Sequence, residues 1–499
     1  PLTGGVRLFF YGGEESAARH AAASIEHSYR YLVQQFHYIP ERTFPYILYN
    51  SYQEFLQTNL FPAQEGLLGV TSTRGDLRLT LPYFGDFQFF RDVSVHEMTH
   101  QFTIQKVRTM AERANLRGDP LERFPLWFIE GIAEFYAKNG LDNETEMLVR
   151  DILLNPDVEE GYAMLDFWAD RPGSGLWTYK VGQIRVVFLA ETYGTWLVQS
   201  ILEKSPLLVS DVGDEPRVPS FAELIAHLSG DDPRIIGIKF EAWLKQRAFR
   251  GYLGAKQSFA DVKPLDDTDE EIDGHNASPS GNLVMYRSYD LVTGKSRLVI
   301  VDPRASGDDR TVVTDGRPGY ESLHPVTRRT FDLTDDALVF IAESDGGDVI
   351  YWEQISHEAA KQIQEPPKPR EPLRRPLTPT VRDPELDEPK VRWEANISLH
   401  DRRSFRLKDK GIFTASSPAI SPDGKRVAFV GLGADGNKDV FLLTPSANGD
   451  EFTLTQLTFD VYAERDVAWG PSGIVFSSDA TSTRHHNLFQ LDPDRPSAP

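Results

Sequence analysis

The first half of the chain alternates between short strand patterns and longer helical patterns. Apolar residues over 6–11 form a short strand that ends at a Gly-Gly pair, and the helical spacing of apolar residues over 14–36 follows directly. A second strand is predicted over 45–49. This mixture, which continues to about Tyr252, indicates an α+β domain.

Residues 76–81 have a strictly alternating pattern of apolar and polar side chains. Such a pattern is typical of a half-buried strand, and this strand would come just before the next helix. With one free edge it could pair with the backbone of an extended peptide. A position in the interior of the sheet is the alternative.

A helix predicted from about Asp92 to Asn115 contains the sequence His-Glu-Met-Thr-His. Residues four apart lie above one another on a helix, so His96 and His100 can both direct a ring nitrogen to one metal ion. Glu97 would then lie beside the metal and could take a proton from an activated water. The simpler alternative is that both histidines are ordinary core or surface residues.

The next apolar helix, which ends at Asn139-Gly140, contains two carboxylates four residues apart, Glu130 and Glu134. An unpaired charge on such a helix is costly, and a metal ion or a ligating histidine would supply the partner. A solvated acidic stripe is the alternative. Further helices are predicted over 143–156, 176–193, 196–204, 220–228 and 234–250.

The pattern changes in the second half, where short β-runs follow Pro/Gly turns. Three similar copies of a turn running into a strand begin at Ser278, Ser421 and Gly470, with a weaker copy at 333–340. The last two are about 49 residues apart, which is a propeller-blade period. The Pro-rich, charged stretch 365–390 interrupts the repeats, and we interpret it as an insertion.

The chain is therefore predicted to be multidomain. An α+β domain would span 1–255, an acidic linker 256–273 and an all-β propeller 274–499. Four or so blades lie at the lower limit for closing a ring, so we expect the C-terminal Pro-Ser-Ala-Pro to mark a cut with further blades missing.

Composition narrows the possible partners and ligands of this chain. Its 499 residues carry a formal net charge of -21 and a pI near 5.1, which argues against binding to nucleic acid or to anionic membranes. No apolar run approaches the length of a membrane span. Because there is no cysteine, any zinc must be held by His, Asp or Glu. The chain begins at Pro1, so a signal peptide, if there was one, is not visible.

Residues 6–252 resemble the gluzincin metallopeptidases, the clan of thermolysin and the aminopeptidase N type enzymes, especially their bacterial peptidase MA-like branch. The resemblance implies a zincin-like fold with one Zn²⁺ on His96, His100 and Glu130, and with Glu97 as general base. It also implies that Glu134 orients a histidine ligand. Tyr179-Lys180-Val181-Gly182 is similar to the Tyr-x-x-Gly element whose phenol stabilises the oxyanion, although an aromatic packing role for Tyr179 is the alternative.

Two departures from the aminopeptidase N pattern put aminopeptidase specificity in question. About 29 residues separate His100 from Glu130, which is longer than in those enzymes, and the exopeptidase motif GxMEN is absent. The metzincin pattern fails because Thr103 stands where that pattern needs glycine. The later repeats resemble TolB-type β-propellers.

These features predict a zinc-dependent peptidase acting on a peptide or protein substrate. The propeller would gate the substrate or bind a protein partner, and the protein would be periplasmic or secreted in a bacterium. A non-enzymatic propeller scaffold with a relic zincin domain is the alternative. A serine hydrolase with a gating propeller is disfavoured because the chain has no GxSxG sequence.

Overall fold

The structure is a computed structural model, and its chain forms two compact units, Pro1–Val262 and Lys263–Pro499. The described residues are 5–12, 15–49, 52–58, 67–72, 75–83, 85–116, 118–154, 165–169, 175–207, 218–252, 270–290, 292–305, 310–323, 329–364, 391–447, 451–481 and 486–495. Within these ranges, no helix combines the length and the apolar character that crossing a membrane requires.

The first unit combines one small sheet with a set of helices. The described helices are α1 (Glu15–Phe36), α2 (Tyr52–Leu56), α3 (Phe87–Arg113), α4 (Leu126–Ala137), α5 (Asn143–Leu154), α6 (Leu176–Tyr193), α7 (Thr195–Lys204), α8 (Phe221–Ser229) and α9 (Pro233–Tyr252). The apolar face of α3 is buried together with aromatic residues of α1 and α4, and Phe102 contacts both Tyr29 and Phe36. This packing fixes the helix that contains the two histidines.

The sheet of the first unit has the order β1-β2-β4-β3, where β1 is Val6–Phe9, β2 Phe44–Tyr49, β3 Val70–Thr71 and β4 Leu79–Pro82. The first three in this order are parallel, and β3 runs antiparallel to β4 at the edge. The sheet therefore ends in a short antiparallel strand next to α3.

The predicted strand over 76–81 is wrong in its start and in its half-buried character, and of its two possible positions the interior one is confirmed. Residues 75 and 76 form a turn, Leu77 after it has a positive φ of 51°, and the strand runs from Leu79 to Pro82. It is interior because β2 and β3 pair with its two edges, and all four of its residues are buried. It therefore has no free edge for a peptide, and β3, which the sequence pattern did not indicate, is the edge strand.

One predicted helix boundary is also corrected. Helix α3 begins at Phe87 instead of Asp92, because the Asp86 carboxylate accepts a hydrogen bond from the Phe89 amide and caps the helix. Helix α5 begins where predicted, and the Asp142 carboxylate caps it by accepting a hydrogen bond from the Thr145 amide. The helices over 176–193, 196–204, 220–228 and 234–250 are confirmed within a few residues.

The second unit is propeller-like and contains four antiparallel sheets that follow one another along the chain. Each is a meander of neighbouring strands, as in a propeller blade. The first sheet contains β5 (Glu271–Ala277), β6 (Val284–Asp290), β7 (Lys295–Val301) and β8 (Arg310–Thr314), and the second contains β9 (Phe331–Leu333), β10 (Ala337–Ser344), β11 (Gly347–Gln364) and β12 (Val391–Arg406). The third contains β13 (Ile412–Ile420), β14 (Val427–Gly433), β15 (Lys438–Pro445) and β16 (Phe452–Gln456), and the fourth, among the described residues, β17 (Glu464–Gly470), β18 (Gly473–Ser478) and β19 (Asn487–Leu491).

The repeated turns of the sequence join the first two strands of a sheet. In the turns that begin at Ser278 and Ser421, a glycine three residues later has a positive φ, 71° and 65°, and donates its amide to that serine's carbonyl at 2.8 Å. Glycine adopts this backbone more readily than any residue with a side chain, which explains the repeated glycine. The predicted insertion 365–390 falls between β11 and β12 and, like the final Pro-Ser-Ala-Pro, lies outside the described residues.

The boundary between the units differs slightly from the predicted linker. Strand β5 begins at Glu271, so the last three residues of the predicted linker 256–273 belong to the first sheet. Residues 253–269 lie outside the described part of the chain.

Candidate metal centre

Two helices of the first unit direct polar side chains to one point. Helix α3 contributes His96 and His100, one turn apart, and α4 contributes Glu130. The side chains of these residues are 12%, 13% and 14% exposed, so they are largely shielded from water. Within the described ranges, no other group of three histidine or carboxylate side chains has its ligand atoms clustered this closely.

The three ligand atoms form a nearly equilateral triangle. Nε2 of His96 lies 3.2 Å from Nε2 of His100, and Oε2 of Glu130 lies 3.3 Å and 3.4 Å from these two nitrogens. Ligand atoms bound about 2.0 to 2.1 Å from a tetrahedral zinc ion lie about 3.3 to 3.4 Å from one another. The Oε2 atom of Glu130 is buried without a well-formed hydrogen bond. The triangle therefore fits three ligands of a zinc ion.

Glu134 lies behind His96, on the side away from this triangle. Its Oε1 atom is 3.0 Å from Nδ1 of His96. A hydrogen on Nδ1 that is donated to this carboxylate leaves Nε2 with the lone pair that a metal needs. Glu134 lies one turn after Glu130 on α4, so both carboxylates are on the same face of this helix.

The charges of the cluster stabilise one another. Burial disfavours protonated His96, but its contacts with Glu130 and Glu134 raise its pKa to about 10. Burial also opposes ionisation of Glu130, yet the neighbouring histidines His100 and His96 hold the pKa of this carboxyl far below its usual range. The pKa of Glu134 is lowered as well, because His96 and Lys180 outweigh its burial. Both carboxylates are therefore available as anionic ligands or partners.

Glu97 follows His96 on α3 and is 7% exposed. The Thr71 hydroxyl, on edge strand β3, donates to Oε2 of Glu97 at 2.6 Å. The sequence pattern did not reveal this threonine, because β3 is only two residues long. Glu97 is near enough to His96 to contribute to the raised pKa of that histidine.

Tyr179 enters the cluster from α6. Its ring centroid lies 5.8 Å from that of His96. Burial and the nearby carboxylates Glu130 and Glu97 raise the pKa of Tyr179 well above its usual value, so the phenol keeps its proton at neutral pH and can act as a hydrogen-bond donor. The structure thus brings together all six residues that the sequence singled out.

Lys180 is a further member of the cluster that the sequence analysis did not single out. Its side chain is 6% exposed, and Nζ lies 2.7 Å from Glu144, 3.6 Å from Asp142 and 3.8 Å from Glu134. Burial lowers the pKa of Lys180, but these carboxylates raise it above its usual value. The sequence feature that could have indicated its role is a lysine directly after Tyr179 in an apolar helix. Lys180 places a cation behind the carboxylate that contacts His96.

Comparisons with known proteins found no matching family model and no matching curated protein. Among solved structures, one from a structural and mechanistic analysis of two prolyl endopeptidases is 14% identical to this chain with a TM-score of 0.24. The match covers 49% of this chain and 36% of that one. TolB from Acinetobacter baumannii is 14% identical with a TM-score of 0.19, covering 46% and 56%. The β-propeller domain of the trilobed protease from Pyrococcus furiosus is 10% identical with a TM-score of 0.18, covering 46% and 85%.

The chain thus spans about a third of the first of these proteins and about half of the second. All three TM-scores lie well below 0.5. The description of the second unit as propeller-like therefore depends on its four meander sheets.

Proposed function

We propose that the first unit is a zinc-dependent peptidase, with one Zn²⁺ held by His96, His100 and Glu130. The observation that supports this proposal is the triangle of ligand atoms with sides of 3.2, 3.3 and 3.4 Å. Two imidazoles and one carboxylate are ligands that zinc prefers in hydrolytic enzymes. When bound, zinc supplies Lewis acidity, which activates a water molecule and polarises the substrate carbonyl.

Each remaining residue of the cluster has a role in this proposal. Glu97 accepts the proton of the attacking water and then transfers it to the leaving amine. Tyr179 donates its phenol hydrogen to the developing oxyanion, a type of contact worth about 2.7 to 4 kcal/mol in other enzymes. Glu134 holds His96 in the tautomer that presents Nε2.

The same residues are the ones through which the chain resembles the gluzincins, so we assign the first unit a zincin-like fold of that clan. The substrate is a peptide or protein. The propeller-like unit gates that substrate or binds a protein partner, as a propeller of the TolB type. We further propose that the protein is periplasmic or secreted.

One other arrangement in the chain has the hydrogen-bond order of a serine hydrolase. On the β11–β12 hairpin, the Ser356 hydroxyl lies 2.9 Å from Nε2 of His400, whose Nδ1 lies 3.0 Å from Asp401. The His400 and Asp401 side chains are 46% and 80% exposed. This exposure to water weakens the electrostatic effects on which such a triad depends, so the group does not favour a second hydrolytic function.

A peptide cleavage assay with the full chain tests the proposal. The protein is incubated with a library of fluorogenic peptides, then with a zinc chelator, and finally with added Zn²⁺. We expect cleavage that the chelator abolishes and that zinc restores. Cleavage that continues unchanged after complete metal removal would overturn the proposal.

A further inference from the structure

Strand β3 is attached to helix α3 at two neighbouring points. The Thr71 hydroxyl lies 2.6 Å from Oε2 of Glu97 and 3.0 Å from the Glu97 carbonyl oxygen. One residue later, the Ser72 carbonyl accepts a hydrogen bond from the Gln101 side chain, one helical turn beyond Glu97. The strand is also paired with β4. Thr71 is therefore held in place by its neighbours and not only by its contact with Glu97.

The Thr71 hydroxyl has one hydrogen, and the carboxylate is the closer and stronger acceptor. A distance of 2.6 Å is typical of a hydroxyl that donates to a charged carboxylate. A free glutamate side chain can turn about three bonds, whereas a general base must stay within hydrogen-bond reach of the proton that it removes. The bond from Thr71 fixes one oxygen of Glu97 and thereby sets the direction of the other.

Gly69 leaves the space in which this carboxylate lies. A Cβ atom at position 69 would lie 2.8 Å from Cγ and 2.9 Å from Oε1 of Glu97. Real Cβ atoms almost never show contacts this short, so a side chain at position 69 would displace the Glu97 carboxylate. The φ of Gly69 lies outside the left-handed region, so the conflict at this position is the contact with Glu97 and not the backbone conformation.

We infer that Thr71 and Gly69 are positioning residues for Glu97. Thr71 holds one carboxylate oxygen and Gly69 provides the clearance that the other oxygen needs. This inference rests on the proposed function, in which Glu97 is the general base. It gives edge strand β3 a role in catalysis that is separate from any contact with a substrate.

The kinetic test compares Thr71→Val, Thr71→Ser and Gly69→Ala with the wild-type chain. Valine keeps the shape and loses the hydroxyl, so we expect kcat to fall about tenfold to hundredfold with KM and zinc content unchanged. Serine keeps the hydroxyl and should retain most of kcat, and Gly69→Ala should resemble the valine variant. Thr109→Val is the matched control, because Thr109 is a buried threonine of α3 whose hydroxyl contacts Tyr38. A wild-type kcat in Thr71→Val, or an equal loss in Thr71→Ser, would overturn the inference.

A second test needs no metal and no activity. In the zinc-free protein, Thr71→Val should lower Tm by about 2 to 4 °C when Glu97 is present and should have little effect in a Glu97→Ala background. Equal effects in both backgrounds would show that the two side chains do not interact and would overturn the inference. If the wild-type chain neither binds zinc nor cleaves peptides, the proposed function fails together with the positioning role. In that case the Tm comparison still shows whether the Thr71 and Glu97 side chains interact.

Discussion

Gly131 of α4 and Gly182 of α6 bring the backbones of their two helices into direct contact. A Cβ atom on Gly131 would lie 2.4 Å from the carbonyl oxygen of Gly182, and a Cβ atom on Gly182 would lie 2.2 Å from the carbonyl oxygen of Trp127. Glu130 precedes the first glycine, and Tyr179 stands one turn before the second. The close approach of the glycines therefore brings a carboxylate and a phenol to the same cluster.

Substitution of Gly131 by alanine should disturb both the packing and the metal centre. The added methyl group must separate two backbones, which typically costs about 1 to 3 kcal/mol. We expect a lower free energy of unfolding in urea and a weaker zinc affinity in a competition titration.

Gly237→Ala is the matched control for this prediction. Gly237 lies in α9, and the nearest atom to a Cβ there would be 3.7 Å away on Trp168. Alanine in a helix interior is about 0.5 to 1 kcal/mol more favourable than glycine, so this variant should be as stable as the wild type or more stable. Equal stability of both alanine variants would contradict the proposed role of the glycine contact.

Glu97→Gln should separate metal binding from hydrolysis. Glutamine has nearly the same shape but cannot accept the proton of the attacking water, so we expect peptide cleavage to disappear while zinc content stays unchanged. Glu112→Gln is the control, because Glu112 is an exposed residue of the same helix and should be neutral. Cleavage at the wild-type rate by Glu97→Gln would remove Glu97 from the mechanism.

Tyr179→Phe removes only the phenol oxygen. If that oxygen donates to the oxyanion, kcat should fall about 10² to 10³-fold with zinc content preserved. Tyr193→Phe is a control on the same helix, since the Tyr193 hydroxyl instead donates to Asp231. An unchanged kcat in Tyr179→Phe would assign Tyr179 to aromatic packing.

The propeller-like unit should lose stability as the pH rises. Glu464 is 1% exposed, and burial together with the carboxylates Asp460, Asp439 and Asp479 raises its pKa to about 9. The folded chain therefore holds a proton that the unfolded chain releases near pH 4.5, so stability falls between these two values as the pH rises. Asp439 has a pKa raised to about 6 and acts in the same direction below that pH.

Thermal unfolding between pH 5 and pH 9 measures this effect. Glu464→Gln should reduce the dependence of Tm on pH above about pH 6, because glutamine carries no charge at any pH. Glu353→Gln serves as a contrast. Glu353 is buried like Glu464 but accepts a hydrogen bond from Arg402. Its substitution should therefore destabilise the unit at neutral pH. A Tm profile that is the same in Glu464→Gln and the wild type would contradict the buried proton.

The sequence located most of the cluster because helical spacing is a local property. His96 with His100, and Glu130 with Glu134, are pairs four residues apart, so each pair shares a helix face whatever the rest of the fold does. Spacing alone could not show that α3 and α4 face each other. That relationship depends on packing between residues distant in sequence.

The parts that the sequence did not predict depend on contacts across the fold. Strand β3 is too short to show a periodic pattern, so Thr71 and Gly69 went unnoticed. Residues 76–81 alternate like a half-buried strand, but all four residues of Leu79–Pro82 are buried, and β2 and β3 pair with its two edges. Lys180 was missed because its three carboxylate partners come from α4, α5 and the loop before α5.

Metal analysis of the purified full chain tests the central claim most directly. The protein is prepared without chelators, equilibrated with a small excess of Zn²⁺, desalted and measured by inductively coupled plasma mass spectrometry. The account predicts about one zinc ion per wild-type chain and a large loss of zinc in His96→Ala and Glu130→Ala, with Glu112→Gln unchanged. A wild-type chain that retains no zinc, or variants that retain as much zinc as the wild type, would contradict it.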